Sequence, residues 1–142
     1  MLSCTHQCLM HWMKVVSFGE EMWPYGDRTI WIWSQQDPSA IHIPDIRAKQ
    51  ANVISAAPPD ILKLAEKEGL CHAYIDGGTT IRAFLKCGCV DELILTRVPL
   101  LLGDGVPLFA SGANEQNRLE HVRTTAYSNG LVQSHYRMAK EA

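Results

Sequence analysis

Apolar and polar positions recur along this chain with two periods, and each period predicts its own kind of element. Runs of β-branched and aromatic residues, of which TIWIWS at 29–34 is the clearest, predict strands. Apolar residues spaced three and four apart predict helices, and one such run begins on Pro58 and Pro59 and stops before Gly69. The pattern predicts strands at residues 29–34, 52–55, 70–75, 90–103, 118–127 and 131–138, and helices after Pro58 and from Gly78 toward Gly88.

The first 18 residues show a weaker apolar stripe, made by Leu9, Trp12, Met13 and Val16. This spacing predicts a short amphipathic helix ahead of the loop at 19–27. We therefore expect the first strand of the chain to follow that loop.

The order of the elements predicts parallel strands followed by antiparallel ones. Strand, helix and strand succeed one another between residues 52 and 75, which favours parallel pairing through a right-handed crossover. The near-continuous apolar character of residues 70–75 indicates a strand buried on both faces. Asn129-Gly130 separates the last two strands, and this dipeptide is typical of a tight hairpin. We expect an α/β fold with a mixed sheet and helices on its faces.

The segment AYIDGGTTIRAFL joins a predicted strand to a helix through a glycine pair. Gly77 and Gly78 let the backbone approach a ligand, and unpaired N–H groups at a helix start attract anions. A phosphate over Gly77–Thr80 is one interpretation, and a tight turn without a ligand is the other. Asp76 is expected to cap the turn rather than hold substrate, while Thr79 can act as helix cap or as phosphate ligand.

Composition and charge restrict the class of protein. With 142 residues, 46% of them hydrophobic and 20% charged, the chain has the size and character of one globular domain. A net charge of -2 does not favour nucleic acid or an acidic membrane surface as partner. No apolar stretch approaches the roughly 20 residues that span a bilayer, and no signal-peptide pattern is present. We therefore expect a cytoplasmic protein.

The cysteines favour free thiols. Five cysteines at irregular spacing do not form the framework of a secreted disulfide protein. Two sets of residues could be assembled into a metal site, but neither has the C-x-x-C spacing of structural zinc, so no metal is expected. These sets are Cys4, His6, Cys8 and His11, and Cys71, His72, Cys87 and Cys89.

Two stretches, IDGGTTIRAFLKCGCVDELILTRVPLLLGDGVPLF and RLEHVRTTAYSNGLVQSHY, carry a resemblance to a known family. They resemble the dihydrofolate reductase superfamily, and within it the C-terminal reductase domain of bacterial riboflavin biosynthesis deaminase-reductases and its stand-alone relatives. The resemblance implies a three-layer α/β/α sandwich around a mixed, mainly parallel sheet with a C-terminal antiparallel hairpin. It also implies a homodimer that transfers hydride from NADPH, with NADH not excluded, to a small heterocyclic substrate.

The resemblance also implies where the ligands lie. Asp104 and Gly105 belong to the LLGDG turn, which lies near the ligand cleft in the family, although a purely structural turn is an equal alternative. Hydride transfer depends on positioning, so no side-chain nucleophile is required and no catalytic residue is assigned. The implied cofactor contacts are Gly77, Gly78, Thr79 and Thr80 for the pyrophosphate, and the loop with Ser34, Gln35 and Gln36 for the adenosine end.

Two departures from the family pattern bear on function. Relatives open with a further strand, a substrate-side loop and a helix, which this single domain of residues 1–142 is expected to lack, leaving an open slot in the sheet. Relatives also often place a cation for the 2′-phosphate of NADPH where Gln35 and Gln36 carry no charge. The alternative to a reductase is a catalytically impaired, truncated relative that serves as a cofactor-binding module or a dimeric scaffold.

Overall fold

The computed structural model describes residues 5–11, 25–43, 45, 48–109 and 118–139. The chain forms two compact units, Met1–Cys87 and Gly88–Ala142, called here the N-terminal and the C-terminal unit. The described strands form one sheet of four strands and one of three.

The N-terminal unit contains a parallel sheet and two helices. Its strands are β1 (Thr5–His11), β2 (Ile30–Trp33), β3 (Ala51–Ile54) and β4 (Leu70–Ile75), in the order β3-β2-β1-β4. Its helices are α1 (Pro58–Lys67) and α2 (Gly78–Lys86), and a 3-10 turn occupies Pro38–Ala40. Every neighbouring pair of strands is parallel, so the strands before and after the first helix run in the same direction, as predicted. They do not pair with each other as predicted, because β3 and β4 are the two outer strands and β2 and β1 lie between them.

Strand β1 is one of the two inner strands of this sheet, where the sequence predicted a helix and an open slot. Leu9 pairs with Trp31 of β2 on one side and with Ile75 of β4 on the other. The helical prediction is wrong for residues 5–11, and its remainder lies outside the described residues. Two parallel neighbours satisfy the backbone groups of this segment, and such pairing outweighs a weak local helical period.

The core of the N-terminal unit lies against β2. Ile30 and Ile32 are fully buried and cluster with Tyr25 and Ala51. The intervening Trp31 is also buried, so β2 is covered on both faces, as an internal parallel strand requires. The strand predicted from the TIWIWS sequence is confirmed at Ile30–Trp33.

Helix α1 has the boundaries that its end residues dictate. Prolines occupy its first two positions, and Asp60 lies in the first turn, where a carboxylate complements the helix dipole. Ile61 and Ala65, four positions apart, turn the same face inward and are buried. The chain leaves the helix through Gly69, whose φ of +73° is a left-handed conformation that glycine adopts without strain.

Strand β4 differs from its prediction in burial. The sequence indicated a strand buried on both faces, but the four residues from Cys71 to Tyr74 are exposed. The reason is position, since β4 forms one edge of the described sheet and has a hydrogen-bonded neighbour on one side. An apolar sequence reports a preference for burial, whereas the sheet order decides how much cover a strand receives.

The C-terminal unit is an antiparallel sheet of β5 (Glu92–Arg97), β6 (Leu119–Ala126) and β7 (Val132–Met138), in the order β5-β7-β6. The predicted hairpin between the last two strands is confirmed, with Gly130 at a φ of +85°. The strand predicted for residues 90–103 is shorter and ends at Arg97, two residues before Pro99, which has no N–H to donate to a ladder.

The α/β class is confirmed, with parallel strands first and the antiparallel hairpin last. The described pairings are parallel in the sheet of four strands and antiparallel in the sheet of three, so strands of both directions are present, as predicted. Neither helix in the described part of the chain is long and apolar enough to cross a membrane.

Candidate functional site

The glycine turn connects β4 to α2 and leaves the first N–H groups of that helix without a side-chain cap among the described residues. Gly77 is the N-cap residue, with φ of +94° and ψ of 125°, a conformation that a side chain would strain. No side chain among the described residues caps the helix, and the first helical bond runs from the Ile81 N–H to the Gly77 carbonyl at 2.9 Å. The N–H groups of Gly78, Thr79 and Thr80 therefore precede the helical ladder, and together with the helix dipole they favour an anion.

Asp76 holds the turn in this shape. Its Oδ2 accepts a hydrogen bond from the Tyr25 hydroxyl at 2.7 Å, and its Oδ1 accepts one from the Gly77 N–H at 2.7 Å. Both carboxylate oxygens are thus engaged within the protein. This supports the interpretation of Asp76 as a turn-capping residue rather than a substrate ligand.

Arg82 lies over the first turn of α2. Its Nη2 donates to Thr79 Oγ1 at 3.2 Å, and a Cβ added to Gly78 would lie 3.2 Å from its Nη1. A cation beside the positive end of a helix dipole is unfavourable by itself but favourable next to a bound anion. The guanidinium and the open N–H groups together suit a pyrophosphate. Arg82 was not among the ligand contacts that the family resemblance implied, although its place one turn after Gly78 was a signal for this contact.

The two threonines of the turn have different environments. Thr79 is exposed, and its hydroxyl, which accepts from Arg82, can still donate its proton to a phosphate oxygen. Thr80 is fully buried, and its Oγ1 has no hydrogen-bond partner among the described residues. Thr80 would therefore meet a surface ligand through its backbone N–H and not through its hydroxyl.

The loop after β2 lies at the same end of the sheet as the glycine turn, where the parallel strands finish. Strands β2 and β4 are both parallel to β1, which separates them, so their carboxyl ends lie two strand spacings apart, or about 10 Å. In this loop the Gln36 N–H donates to Ser34 Oγ at 3.1 Å. The structure thus places the predicted adenosine contacts, Ser34 and Gln35, at the same end of the sheet as the predicted pyrophosphate contacts. This carboxyl end is where open parallel sheets bind ligands.

Asp104 and Gly105 lie in the C-terminal unit. The Gly105 N–H donates to Asp104 Oδ1 at 2.7 Å, and the Asp104 N–H donates to the Leu102 carbonyl at 2.9 Å. These bonds describe a self-contained surface turn. A ligand contact at these two residues stays a prediction.

The cysteine sets show no metal site in the part that the structure describes. Cys71 and Cys87 are exposed, and Cys89 is half-buried. No group of three His, Cys, Asp or Glu side chains among the described residues could hold a metal ion. The side chains of the set at residues 4–11 lie outside the described residues.

Comparison with known proteins agrees with this geometry. The fold is an α/β fold of the dihydrofolate reductase type, which a solved neighbour shares over 97% of this chain. The sequence model of the RibD C-terminal domain family matches residues 13–133 of this chain. The chain therefore belongs to the RibD C-terminal domain family. This family is a reductase domain of riboflavin biosynthesis.

Curated relatives are longer than the matched part of this chain. Uncharacterized protein YyaP of Bacillus subtilis (strain 168) is 34% identical over 77 residues, which are 54% of this chain and 40% of that protein. Uncharacterized protein YwjB of the same organism is 26% identical over 116 residues, or 81% and 62% of the two chains. The riboflavin biosynthesis protein RibD of Bacillus amyloliquefaciens is 33% identical over 61 residues, or 42% and 16%. The chain thus spans less than two thirds of each of these relatives.

Two solved structures resemble the fold. A protein of Shewanella sp. PV-4, provisionally described as a riboflavin biosynthesis protein, is 26% identical with a TM-score of 0.83 and covers 97% of this chain and 76% of its own. A pyrimidine reductase-like protein of Corynebacterium diphtheriae is 18% identical with a TM-score of 0.58, over 96% and 62% of the chains. The second likeness concerns the fold alone.

Proposed function

We propose that this chain is a reductase domain that binds a reduced nicotinamide dinucleotide and delivers its hydride to a small heterocyclic substrate. NADPH is the dinucleotide that the family resemblance implies. Membership in the RibD C-terminal domain family supports the reaction class, and the names of the Bacillus amyloliquefaciens and Shewanella proteins support a role in riboflavin biosynthesis.

The observation that carries the proposal is the anion-binding arrangement at the start of α2. Gly77 has a backbone conformation in which the helical hydrogen bonds begin only at the Ile81 N–H, so the N–H groups of Gly78, Thr79 and Thr80 have no carbonyl partner within the helix. Gly78 has no side chain, and a Cβ at this position would lie 3.2 Å from Arg82 Nη1. The room between residue 78 and the guanidinium group therefore exists because residue 78 is glycine. These donors fit a pyrophosphate in number and in charge.

The residues of the turn would bind and orient, and the bound dinucleotide would supply the hydride. Asp76 and Tyr25 keep the turn rigid, so the N–H donors require no rearrangement when an anion arrives. Arg82 offsets the negative charge of the diphosphate, and Thr79 Oγ1 adds a further hydrogen bond. The chemistry then depends on how the chain positions the two reactants, which is how hydride transfer is accelerated.

Binding can be tested by titrating NADPH and NADH into the purified chain and following tryptophan fluorescence. Trp33 lies at the carboxyl end of β2, where its Nε1 donates to the Ala56 carbonyl at 2.8 Å. Its fluorescence should therefore respond to a dinucleotide bound at this end of the sheet. Saturable quenching that Gly77→Ala abolishes and Gly69→Ala leaves intact supports the proposal. No response to either dinucleotide up to about 1 mM would contradict it, since that is the upper end of ordinary substrate affinities.

Turnover separates the reductase from the alternative function. Oxidation of the dinucleotide in the presence of aminopyrimidine or pterin substrates supports a reductase. Saturable binding without any oxidation would instead support a cofactor-binding module or scaffold.

We also propose that the chain acts as a homodimer. Large apolar side chains of the C-terminal unit are exposed between Val98 and Phe109, and Leu101 and Val106 are 103% and 87% exposed. Monomeric proteins seldom leave such side chains together in water, so their burial against a second copy would be favourable.

A further inference from the structure

The loop after β2, to which the family resemblance assigns the adenosine end of the cofactor, contains a carboxylate at Asp37. The loop begins with Ser34, Gln35, Gln36 and Asp37, and these four side chains carry one negative charge and no positive one, while the cations of the loop, Arg47 and Lys49, come ten or more positions later. Asp37 Oδ1 accepts two hydrogen bonds from Ser39, one from the backbone N–H at 2.8 Å and one from the hydroxyl at 2.6 Å. These bonds lower the pKa of Asp37 below its usual value, so the carboxylate is ionised at neutral pH.

The bonding of Asp37 leaves its second oxygen available. Both bonds from Ser39 end on Oδ1, and Oδ2 has no hydrogen-bond or ion-pair partner among the described residues. No described lysine or arginine lies within ion-pair distance of the carboxylate. The Oδ2 atom can therefore accept one further hydrogen bond, and no nearby described cation offsets its charge.

The loop with Asp37 and the glycine turn follow β2 and β4, two parallel strands with β1 between them. The carboxyl ends of these strands lie two strand spacings, about 10 Å, apart, a separation that an adenosine diphosphate can span. With the pyrophosphate on the turn, the ribose joined to it extends across β1 toward the loop. A ribose 2′-hydroxyl can donate to a carboxylate there, as acidic residues do in dinucleotide-binding folds. A 2′-phosphate, with a charge of about -1.5 to -2 at neutral pH, would face a carboxylate instead.

We propose that Asp37 is a specificity-determining residue that makes this chain prefer NADH to NADPH. This inference rests on the proposed function, because it requires the pyrophosphate to lie on the glycine turn. It departs from the cofactor that the family resemblance implies, and the reason is the uncharged glutamine pair followed by a fixed carboxylate.

A purely structural role for Asp37 predicts a different result. Asp37 caps the 3-10 turn at Pro38–Ala40 through Oδ1, and serine or asparagine at a cap position retains that function. Asp37→Ser and Asp37→Asn therefore remove the charge while keeping the cap. Asp60→Ser is the matched control, because it removes one exposed carboxylate from α1 in the same unit.

The experiment measures the dissociation constants of NADH and NADPH for the full chain by calorimetry or fluorescence, with thermal unfolding of each variant as a check of folding. The native chain is expected to bind NADH at least about tenfold more tightly than NADPH, because a like-charge contact without a nearby cation is unfavourable and a difference of about 1.4 kcal/mol is tenfold in affinity. Asp37→Ser and Asp37→Asn should each lower that ratio about tenfold, chiefly by tightening NADPH. Asp60→Ser should leave it unchanged.

Each other outcome has a defined meaning. Tighter binding of NADPH by the native chain, or an equal loss for both dinucleotides in the Asp37 variants, overturns this inference and leaves the proposed function intact. Failure of the native chain to bind either dinucleotide overturns the proposed function and this inference with it.

Discussion

The Tyr25 hydroxyl donates a 2.7 Å hydrogen bond to Asp76, a residue 51 positions later in the chain. Tyr25 is buried in the cluster around Ile30 and Ile32, and Asp76 directly precedes the first glycine of the turn. One hydrogen bond thus joins the core of the N-terminal unit to the proposed anion site. Because the ring is fixed by packing, the carboxylate and the Gly77 N–H bonded to it are fixed as well.

Tyr25→Phe should lower the free energy of unfolding by about 1.5–3 kcal/mol, because a part-buried carboxylate loses a hydrogen-bond donor. It should also weaken dinucleotide binding, since Asp76 would no longer be held on both oxygens. Urea denaturation and a binding titration measure the two effects. The control is Tyr127→Phe, whose exposed hydroxyl makes a 3.4 Å contact with Gln133. Equal effects of the two substitutions would contradict the role assigned to Tyr25.

Gly77→Ala should cost about 1–3 kcal/mol and abolish dinucleotide binding, because a Cβ at φ of +94° and ψ of 125° strains the backbone. Gly69→Ala is the comparison, since Gly69 also has positive φ, at +73°, but lies in a helix-ending conformation with nothing within 4 Å of an added Cβ. It should destabilise the protein by about 1 kcal/mol and spare binding. Binding by the Gly77 variant with native affinity would argue against the glycine turn as the pyrophosphate site.

Thr80→Val should raise the free energy of unfolding of the ligand-free protein by about 1 kcal/mol, because it removes a buried hydroxyl without a described partner. Dinucleotide affinity should stay the same, since the proposed contact is made by the backbone N–H. Thr79→Val should do the reverse, with little change in stability and a several-fold loss of affinity. The idea fails if the Thr80 variant loses affinity and the Thr79 variant does not.

Phe84→Ala should destabilise the N-terminal unit by about 3–5 kcal/mol, the usual cost of emptying an aromatic site in a core. Phe84 is fully buried and meets Trp33 edge to face, with ring centroids 6.4 Å apart. The change should therefore also alter Trp33 fluorescence. Phe109→Ala removes a ring that is 49% exposed and should cost less than about 1 kcal/mol.

Leu101→Glu should reduce self-association if the exposed apolar segment of the C-terminal unit forms the dimer contact. Sedimentation velocity at several concentrations would measure this as a shift toward the mass of one chain. Leu64→Glu, on the partly exposed face of α1, adds the same charge elsewhere and should leave the mass unchanged. A native chain that sediments as a monomer at every concentration would overturn the homodimer proposal.

Most individual elements were predictable because their signals are local. The prolines before Ile61, the Gly69 helix end and the Asn129-Gly130 hairpin act through neighbouring backbone, and each was found where the sequence predicted it. The glycine turn was recognisable for the same reason. The contact of Arg82 with the helix start was not predicted, because it depends on a side-chain rotamer that residue spacing permits but does not impose.

The sequence by itself determined the α/β class, the order of its elements after the first loop and the place of the glycine turn. The tertiary structure decided that Thr5–His11 is an inner strand, that β4 is an edge strand of the described sheet with exposed residues, and that Tyr25 holds Asp76. These features require partners far away in the chain, and a strand's neighbours or a carboxylate's distant donor leave no periodic trace in the residues around it. Local propensity sets which segments can form an element, and hydrogen bonding between distant segments sets which element forms and where it lies.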